Sequence, residues 1–299
     1  MKKNRKAGTI IGCVLLLILV VGVIIVYQFG DERIQVEEEV DTGEAFTKYT
    51  VIAQSLGSID DKTGTNSLEA LEQSYENGVR LFDADVCLLK DDTLALRHDW
   101  TTDMRQKALK FMLTTPYGTD VFGQASYEQE AMPTAKQFTK NKMYGKYTPM
   151  LFEDLAEWLQ EHDDAYIVCD VRQNTKSIYE KIYKLLSEMD ESLLDQIVVE
   201  CYNEEELKLI QEIYPFSNVM IRKTSGNALT FHQLVNLTRE YHIQAVSVSK
   251  EYAKDYGVLR LKSAGVKIYW DTVDDEEEFQ ESYAVDGIVS NTLTEEAVK

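Results

Sequence analysis

The chain has 299 residues, of which 51 are acidic and 31 are lysine or arginine, so its formal net charge at pH 7 is −20. This charge argues against nucleic acid and anionic membrane surfaces as partners, because both repel an acidic protein. Hydrophobic residues make up 44% of the chain, which is ordinary for a globular protein, and the length fits one large domain as well as two small ones.

The first thirty residues have the pattern of a membrane anchor. A basic stretch, "MKKNRK", is followed by residues 7–30, which carry no charged side chain and are long enough to span a bilayer as a helix. No small-residue cleavage motif follows, which favours an uncleaved anchor over a signal peptide. Because basic residues stay on the cytoplasmic side, we expect a cytoplasmic stub and transmembrane helix over 1–30. The protein would then be a single-pass protein of the cell membrane, with its C-terminal domain extracellular.

Residues 31–48, "DERIQVEEEVDTGEAFTK", are acidic and show little apolar periodicity, which is typical of a solvated linker. From residue 49 to residue 299, continuous apolar strands alternate with amphipathic helices, from "YTVIA" and "NSLEALEQSYENG" to "EEEFQESY" and "DGIVS". Such an alternation predicts a parallel sheet covered by helices. "TLALRH" is interpreted as a hairpin partner, which leaves eight strands.

Eight such units favour a closed (β/α)8 TIM barrel. A doubly wound α/β sheet is the alternative, but no glycine-rich phosphate loop follows the first strand. The first helix is predicted to begin at Asn66 as its N-cap, with Glu69 three residues on and Gly78 after its end. Residues 101–147 interrupt the alternation and are interpreted as a long insert at the carboxyl side of the barrel, where substrate loops lie.

Charged residues inside apolar strands are the candidates for chemistry. Asp83 and Asp85 are two residues apart in "LFDADVCLL", so both carboxylates face one side of the strand. Asp170 interrupts "YIVCDV" in the same way, and three such carboxylates suit a hard divalent cation. Arg172, two residues further, can bind a phosphate bidentately, and His98 at the end of "TLALRH" can transfer a proton. The alternative for the acids is that they are only solvated strand ends, and for His98 a structural role.

Several segments follow one another along the chain in a specific order: "VIAQS", "TNSLEAL", "DADVCLLKDDTLALRHD", "TPMLFEDLAEWL", "IVCDVR", "YWDTVDD" and "DGIVSN". In this order they resemble the glycerophosphodiester phosphodiesterase barrel. This family is related to bacterial phosphatidylinositol phospholipase C-like enzymes and to spider-venom sphingomyelinase D. The resemblance covers nearly the whole external domain, and the ordered set is more specific than any one piece.

The resemblance implies a set of ligand-binding roles. Asp85 matches the metal-binding aspartate of the family, and Asp83 takes the place of the metal-binding glutamate with one methylene fewer. Asp170 stands at the third ligand, so the resemblance implies a divalent cation, Mg²⁺ or Ca²⁺, at these three residues. Arg172 stands where the family has a phosphate-binding lysine.

The resemblance also implies where acid–base chemistry would occur. His98 matches one of the two family histidines that share the acid and base roles. Gln54 stands where the other histidine is expected, and Ser55 where an arginine is expected. Thr65 replaces the glutamate of the family's E-N-T segment, while Asn66 remains. An amide cannot exchange a proton near neutral pH, so Gln54 can only orient a phosphate oxygen.

The implied reaction is phosphodiester cleavage. Its substrate would be a glycerophosphodiester, a phospholipid headgroup or a glycerol phosphate polymer. Glu200 in "IVVECY" is a possible additional base, and Trp270 is either a wall of the substrate site or a core aromatic residue. Three hypotheses stay open at this point: a membrane-anchored phosphodiesterase, a catalytically impaired pseudoenzyme that binds a phosphorylated ligand or envelope partner, and a purely structural ectodomain.

Overall fold

Eight parallel strands close into a barrel in this computed structural model, which describes residues 45–98, 132–140, 142–227, 229–281 and 284–298. The strand order around the barrel is β1-β9-β8-β7-β6-β5-β4-β2, and pairing of β1 with β2 closes it. The ninth strand, β3, pairs antiparallel with β2, as the hairpin interpretation predicts. The strands are β1 (Val51–Ala53), β2 (Leu81–Leu88), β3 (Leu94–Leu96), β4 (Tyr166–Asp170), β5 (Ile197–Cys201), β6 (Asn218–Lys223), β7 (Ala245–Ser249), β8 (Lys267–Asp271) and β9 (Gly287–Ser290).

Helices follow the strands and cover the outside of the barrel. This arrangement confirms the (β/α)8 fold. The doubly wound alternative is wrong, because β1 pairs with β2 and so closes the sheet into a barrel. The α-helices in the described residues are α1 (Leu68–Glu76), α2 (Ala135–Lys140), α3 (Phe152–Gln160), α4 (Thr175–Met189), α5 (Glu204–Ile213), α6 (Phe231–Glu240), α7 (Gly257–Ser263) and α8 (Glu276–Gln280).

The barrel strands are apolar on both faces because each face has its own core. A small cluster inside the barrel contains Ile52, Leu81, Val168 and Tyr269. A much larger cluster fills the layer between the sheet and the helices. Parallel strands buried on both sides have continuous apolar runs rather than alternating ones, which is why the sequence shows the strands so clearly.

Phe46 closes the amino end of the barrel. It is fully buried and belongs to the cluster inside the barrel, in a short 3₁₀ turn over Phe46–Lys48. The last residues of the predicted linker therefore contribute to the hydrophobic interior, while the boundary at residue 48 stays a prediction. Glu295 also contacts this end of the barrel. Its carboxylate accepts hydrogen bonds from the backbone N–H groups of Thr50 and Val51 at 2.9 and 3.0 Å.

Three predicted segments lie wholly or largely outside the described residues. The predicted anchor at 7–30 is one, and within the part of the chain that the structure describes, no helix is both long and apolar enough to cross a membrane. The second is the acidic linker at 31–48, of which only residues 45–48 are described. The third is the insert at 101–147, of which the described part contains α2 and a turn in which Met143 and Tyr147 pair.

Candidate active site at the carboxyl end of the barrel

Asp83 and Asp85 point into the barrel, as their spacing in β2 predicts. The alternating neighbours Phe82, Ala84 and Val86 belong to the outer core, and successive strand residues face opposite sides of a sheet. Both acids are buried, with 2% and 5% of their surface exposed. The alternative that they are only solvated strand ends is therefore wrong.

Asp85 is held by three side chains. Ser55 Oγ and Asn66 Nδ2 donate hydrogen bonds to Asp85 Oδ2 at 2.7 and 2.8 Å. Asn66 also accepts a hydrogen bond from the Asp85 backbone N–H at 3.2 Å. On the other side, His98 Nε2 lies 3.8 Å from Asp85 Oδ1. The structure thus brings His98 and Asp85 together, and it gives Ser55 and Asn66 a role that the sequence did not predict.

The chain after β1 adopts an unusual conformation that aims Ser55 at Asp85. Ser55, Leu56 and Gly57 have successive φ values of 49°, 68° and 100°, and such positive values are uncommon for residues other than glycine. Glycine is required at the third position because a Cβ there would lie 1.9 Å from Ser74 Oγ. Strained backbone of this kind is typical of functional sites.

Asn66 also has a positive φ, of 46°, which asparagine tolerates better than most residues. Its backbone N–H donates to the Ser55 carbonyl oxygen at 3.1 Å, so the two loops support each other. The N-cap of α1 is Ser67, whose side chain accepts from the Ala70 N–H. The predicted N-cap role of Asn66 is therefore wrong, because its side chain is committed to Asp85.

Asp170 lies at the end of β4, in register with Asp85. Arg172 donates to Asp170 Oδ2 from Nε at 3.0 Å, with Nη2 at 2.9 Å, and the Tyr202 hydroxyl donates to Oδ1 at 2.9 Å. Burial by itself would raise the pKa of Asp170, but the guanidinium groups of Arg172 and Arg222 outweigh it and lower the pKa to about 2. Asp170 is therefore ionised at neutral pH.

Arg222, on β6, is a charged residue of the site that the sequence analysis did not single out. Its side chain is 4% exposed, and Nη1 lies 3.3 Å from both Asp170 Oδ2 and Glu200 Oε2, while Nη2 lies 2.9 Å from Asp271 Oδ2. The signal was present: an arginine interrupts the apolar strand "NVMIRK" two residues after Met220, which faces the barrel interior. The same search for charges in apolar strands that found Asp170 would have found it.

Glu200 faces the interior from β5 and is 2% exposed. Ser247 Oγ donates to Glu200 Oε1 at 3.2 Å. Burial raises the pKa of Glu200 to about 7, although the Arg222 charge opposes the shift. A carboxyl group that titrates near neutral pH can accept and release a proton. The role of Glu200 as an additional base stays a prediction.

Gln54 directly follows β1 at the same rim of the barrel. Its Oε1 lies 3.2 Å from the hydroxyl oxygen of Thr272, which follows Asp271 at the end of β8. The amide can therefore form hydrogen bonds at this rim, but it cannot exchange a proton near neutral pH.

Trp270 does not line the site. It is 1% exposed and belongs to the outer core together with Val258 and Leu261 of α7, whereas its neighbour Tyr269 faces the interior. The prediction that Trp270 contacts substrate is therefore wrong, because the alternation of β8 turns the indole toward the helices.

Comparison with known proteins decides the family of this barrel. The sequence model of the glycerophosphoryl diester phosphodiesterase family matches residues 48–295, which is most of the chain. The chain belongs to this family. No curated protein matches the chain.

Solved structures share the fold of this glycerophosphoryl diester phosphodiesterase family member. A glycerophosphodiester phosphodiesterase from Parabacteroides distasonis is 16% identical with a TM-score of 0.61, covering 83% of this chain and 94% of that one. A second, from Thermotoga maritima, is 16% identical with a TM-score of 0.56, covering 84% and 96%. An Oleispira antarctica phosphodiesterase, solved in complex with its product sn-glycerol-3-phosphate, is 14% identical with a TM-score of 0.58, covering 81% and 92%. At these identities the likeness establishes the fold.

Members of the glycerophosphoryl diester phosphodiesterase family generally depend on Ca²⁺ or Mg²⁺, but the carboxylates of this member do not fit the three-ligand centre predicted from the sequence. Among the described residues, no group of three or more histidine, cysteine or acidic side chains is arranged to hold a metal ion. Asp170 is committed to two guanidinium groups. Asp83 lies one strand layer below Asp85, and neither of its carboxylate oxygens has a hydrogen-bond partner.

Asp83 is buried in an environment that disfavours its charge. Burial and then the charges of Asp85 and Asp170 raise its pKa well above the usual range. A glutamate at this position would be one methylene longer, whereas the carboxyl group of the aspartate stays buried, close to Asp85 and Asp170 and without a hydrogen-bond partner.

Proposed function

We propose that this protein is a membrane-anchored, extracytoplasmic phosphoric diester hydrolase that acts on glycerophosphodiesters. One observation carries the proposal: Arg172, His98 and Asp85 meet at the carboxyl end of the barrel, where TIM-barrel enzymes place their active sites. The family membership supports the reaction class. The predicted anchor at 7–30 supports the location.

Arg172 is the proposed phosphate-binding residue. More than half of its side-chain surface, 54%, is exposed although its guanidinium contacts Asp170. Asp170 fixes one edge of the planar group, and the exposed remainder can donate hydrogen bonds to a phosphate oxygen. A positive charge in this position also offsets the repulsion between an anionic substrate and an acidic protein.

His98 is the proposed proton-transfer residue. Its imidazole lies 3.8 Å from the Asp85 carboxylate, a separation at which an imidazolium is directly stabilised by the negative charge. Ser55 and Asn66 fix that carboxylate, so His98 keeps its electrostatic partner in place. Protonation of the leaving alkoxide by such a group typically contributes a factor of about 10² to 10⁴ in rate.

The proposed substrates share a glycerol phosphate group: a glycerophosphodiester, a phospholipid headgroup or a glycerol phosphate polymer. The Oleispira antarctica relative in the fold binds sn-glycerol-3-phosphate as its product, which supports this class. Assistance by Mg²⁺ or Ca²⁺ is a prediction from the family, whereas the proposed roles of Arg172 and His98 depend only on side chains of the protein.

The test is hydrolysis of glycerophosphodiesters by the full chain, followed as release of glycerol phosphate, both in chelator and with added Mg²⁺ or Ca²⁺. We expect measurable turnover in the wild type and a loss of about 10² to 10⁴ in kcat for His98→Ala. His162→Ala is the matched control, because His162 stacks on Trp158 on the outer side of the barrel. No turnover with any of the substrates under any of these conditions would reject the proposal.

The second candidate is a barrel that binds a phosphorylated ligand without cleaving it. Gln54 favours it, because an amide stands at the position of a family histidine and is oriented by Thr272. Calorimetric binding of sn-glycerol-3-phosphate together with absent turnover would support this candidate, and robust turnover would exclude it.

A further inference from the structure

Arg222 places a permanent positive charge at the centre of the candidate site. Its side chain is 4% exposed and contacts carboxylates from three other strands, those of Asp170, Glu200 and Asp271, at 3.3, 3.3 and 2.9 Å. A buried guanidinium requires such compensation, because an unpaired charge in the interior is strongly unfavourable. Arg222 and the three carboxylates therefore form one ion-pair network inside the barrel mouth.

The Asp170 carboxylate is largely committed to hydrogen-bond donors. Its Oδ2 accepts from Arg172 and Arg222, and its Oδ1 accepts from the Tyr202 hydroxyl. A cation at Oδ2 would have to displace two guanidinium groups. It would also lie beside Arg222, and two positive charges at such a distance repel each other.

The other two carboxylates are also unsuited to a shared cation with Asp170. Asp85 Oδ2 accepts hydrogen bonds from Ser55 and Asn66. Asp83 lies opposite Val168 in the register of β2 and β4, whereas Asp85 lies opposite Asp170. The three acids thus occupy two different layers, and among the described residues no group of three such side chains is arranged to hold one metal ion.

We propose that Arg222 takes the place of a divalent cation in this barrel, so that phosphate binding at its mouth requires no added metal. The guanidinium supplies the fixed positive charge around which Asp170, Glu200 and Asp271 are arranged. Arg172, which shares the Asp170 oxygen with Arg222, then presents its exposed edge to a phosphate monoester or diester. This proposal rests on the proposed function for the identity of the anion.

The first experiment uses the metal alone as the probe. The full chain is treated with chelator, and its Tm is measured as CaCl₂ or MgCl₂ is added up to about 10 mM. We expect a shift below about 1 °C, because a bound ion with a Kd 100-fold below that concentration would raise Tm by several degrees. A larger rise that Asp85→Asn abolishes would overturn the proposal.

The second experiment removes the internal charge. Arg222→Met leaves Asp170, Glu200 and Asp271 without their common partner, so we expect this variant to gain a rise in Tm with Ca²⁺ or Mg²⁺ that the wild type lacks. Arg260→Met is the matched control, since Arg260 is exposed on α7. A variant that folds only when metal is present supports the proposal in the same way. A folded variant without any response to metal would show that Arg222 does not stand in the place of a cation.

The third experiment measures anion binding by calorimetry with sn-glycerol-3-phosphate. We expect the Kd of the wild type to change by less than about twofold between chelator and metal, and Arg172→Met to weaken binding about tenfold or more. Binding that appears only with metal would overturn the proposal. Because the metal titration contains no substrate, absent hydrolysis would reject the proposed function without changing the outcome for Arg222.

Discussion

Asp170 and Arg222 form an ion pair across the carboxyl end of the barrel, with 3.3 Å between Oδ2 and Nη1, although β5 separates their strands. The pair is buried, and each partner has a second partner of opposite charge: Arg172 for Asp170 and Asp271 for Arg222. Removing one member of such a buried network leaves an uncompensated charge, which is strongly destabilising.

Gln54→His should raise the rate of phosphodiester cleavage. The histidine would restore a group able to exchange a proton at the rim of the barrel, and such a group contributes a factor of about 10² to 10⁴. The measurement is kcat for glycerol phosphate release. Gln73→His, at an exposed position on α1, is the control. An unchanged kcat in Gln54→His would mean that the site lacks more than a base.

Ser55→Ala should destabilise the protein and remove one of the hydrogen bonds that hold the Asp85 carboxylate in place. The hydroxyl donates a 2.7 Å hydrogen bond to a buried carboxylate, and losing a hydrogen bond to a charged group costs about 1.5 to 3 kcal/mol. The free energy of unfolding measured in urea gives the cost. Ser263→Ala, which removes an exposed hydroxyl on α7 that bonds the Leu259 carbonyl oxygen, should change it by less than about 0.5 kcal/mol. Equal effects of the two variants would contradict the assigned contact.

Glu200→Gln should alter the dependence of stability on pH. Burial raises the pKa of Glu200 to about 7 in the folded protein, so the folded state binds a proton more tightly than the unfolded state. The protonated Glu200 carboxyl group therefore contributes its full stabilisation below about pH 4.5. This contribution to the free energy of unfolding, on the order of 3 kcal/mol, is lost as the pH rises through 7. Glu200→Gln should lack this decline between pH 5 and pH 8.

The control for that experiment is Glu212→Gln, at an exposed position on α5, which should keep the wild-type profile. Urea unfolding at several pH values measures both variants. If Glu200→Gln and the wild type lost stability in parallel between these pH values, the carboxyl group would not titrate as the structure indicates.

Gly287→Ala should weaken the closure of the barrel. A Cβ at residue 287 would lie 2.4 Å from the Thr50 carbonyl oxygen and 2.9 Å from the Tyr269 ring, where β9 joins its neighbours. Overpacking of this kind typically costs about 1 to 3 kcal/mol. Gly226→Ala is the control, because the nearest atom to a Cβ there is Thr224 Oγ1 at 3.5 Å. Thermal unfolding that gave equal Tm values for both variants would contradict this role.

Much of the fold follows from the sequence because buried parallel strands and amphipathic helices have different periodicities. The same reasoning located Asp83, Asp85 and Asp170, because a charged side chain is unfavourable within a buried apolar strand unless it is paired or binds a ligand. It failed for Trp270, because aromatic residues on the two faces of a barrel strand look alike in sequence. It also failed for the first helix cap, where Asn66 and Ser67 are both good N-caps and only the contact with Asp85 separates them.

By itself, the sequence determined the order of strands and helices and the family to which the chain is similar, and it predicted that Gln54 stands where the resemblance implies a histidine. Only the tertiary structure decided which charges meet. Arg222 lies 52 positions from Asp170 and 49 from Asp271, and its contact with both depends on the curvature and closure of the barrel. The same closure determines that Asp170 pairs with guanidinium groups while Asp83 stays buried below, because the layer that a side chain reaches depends on strand register and on side-chain length.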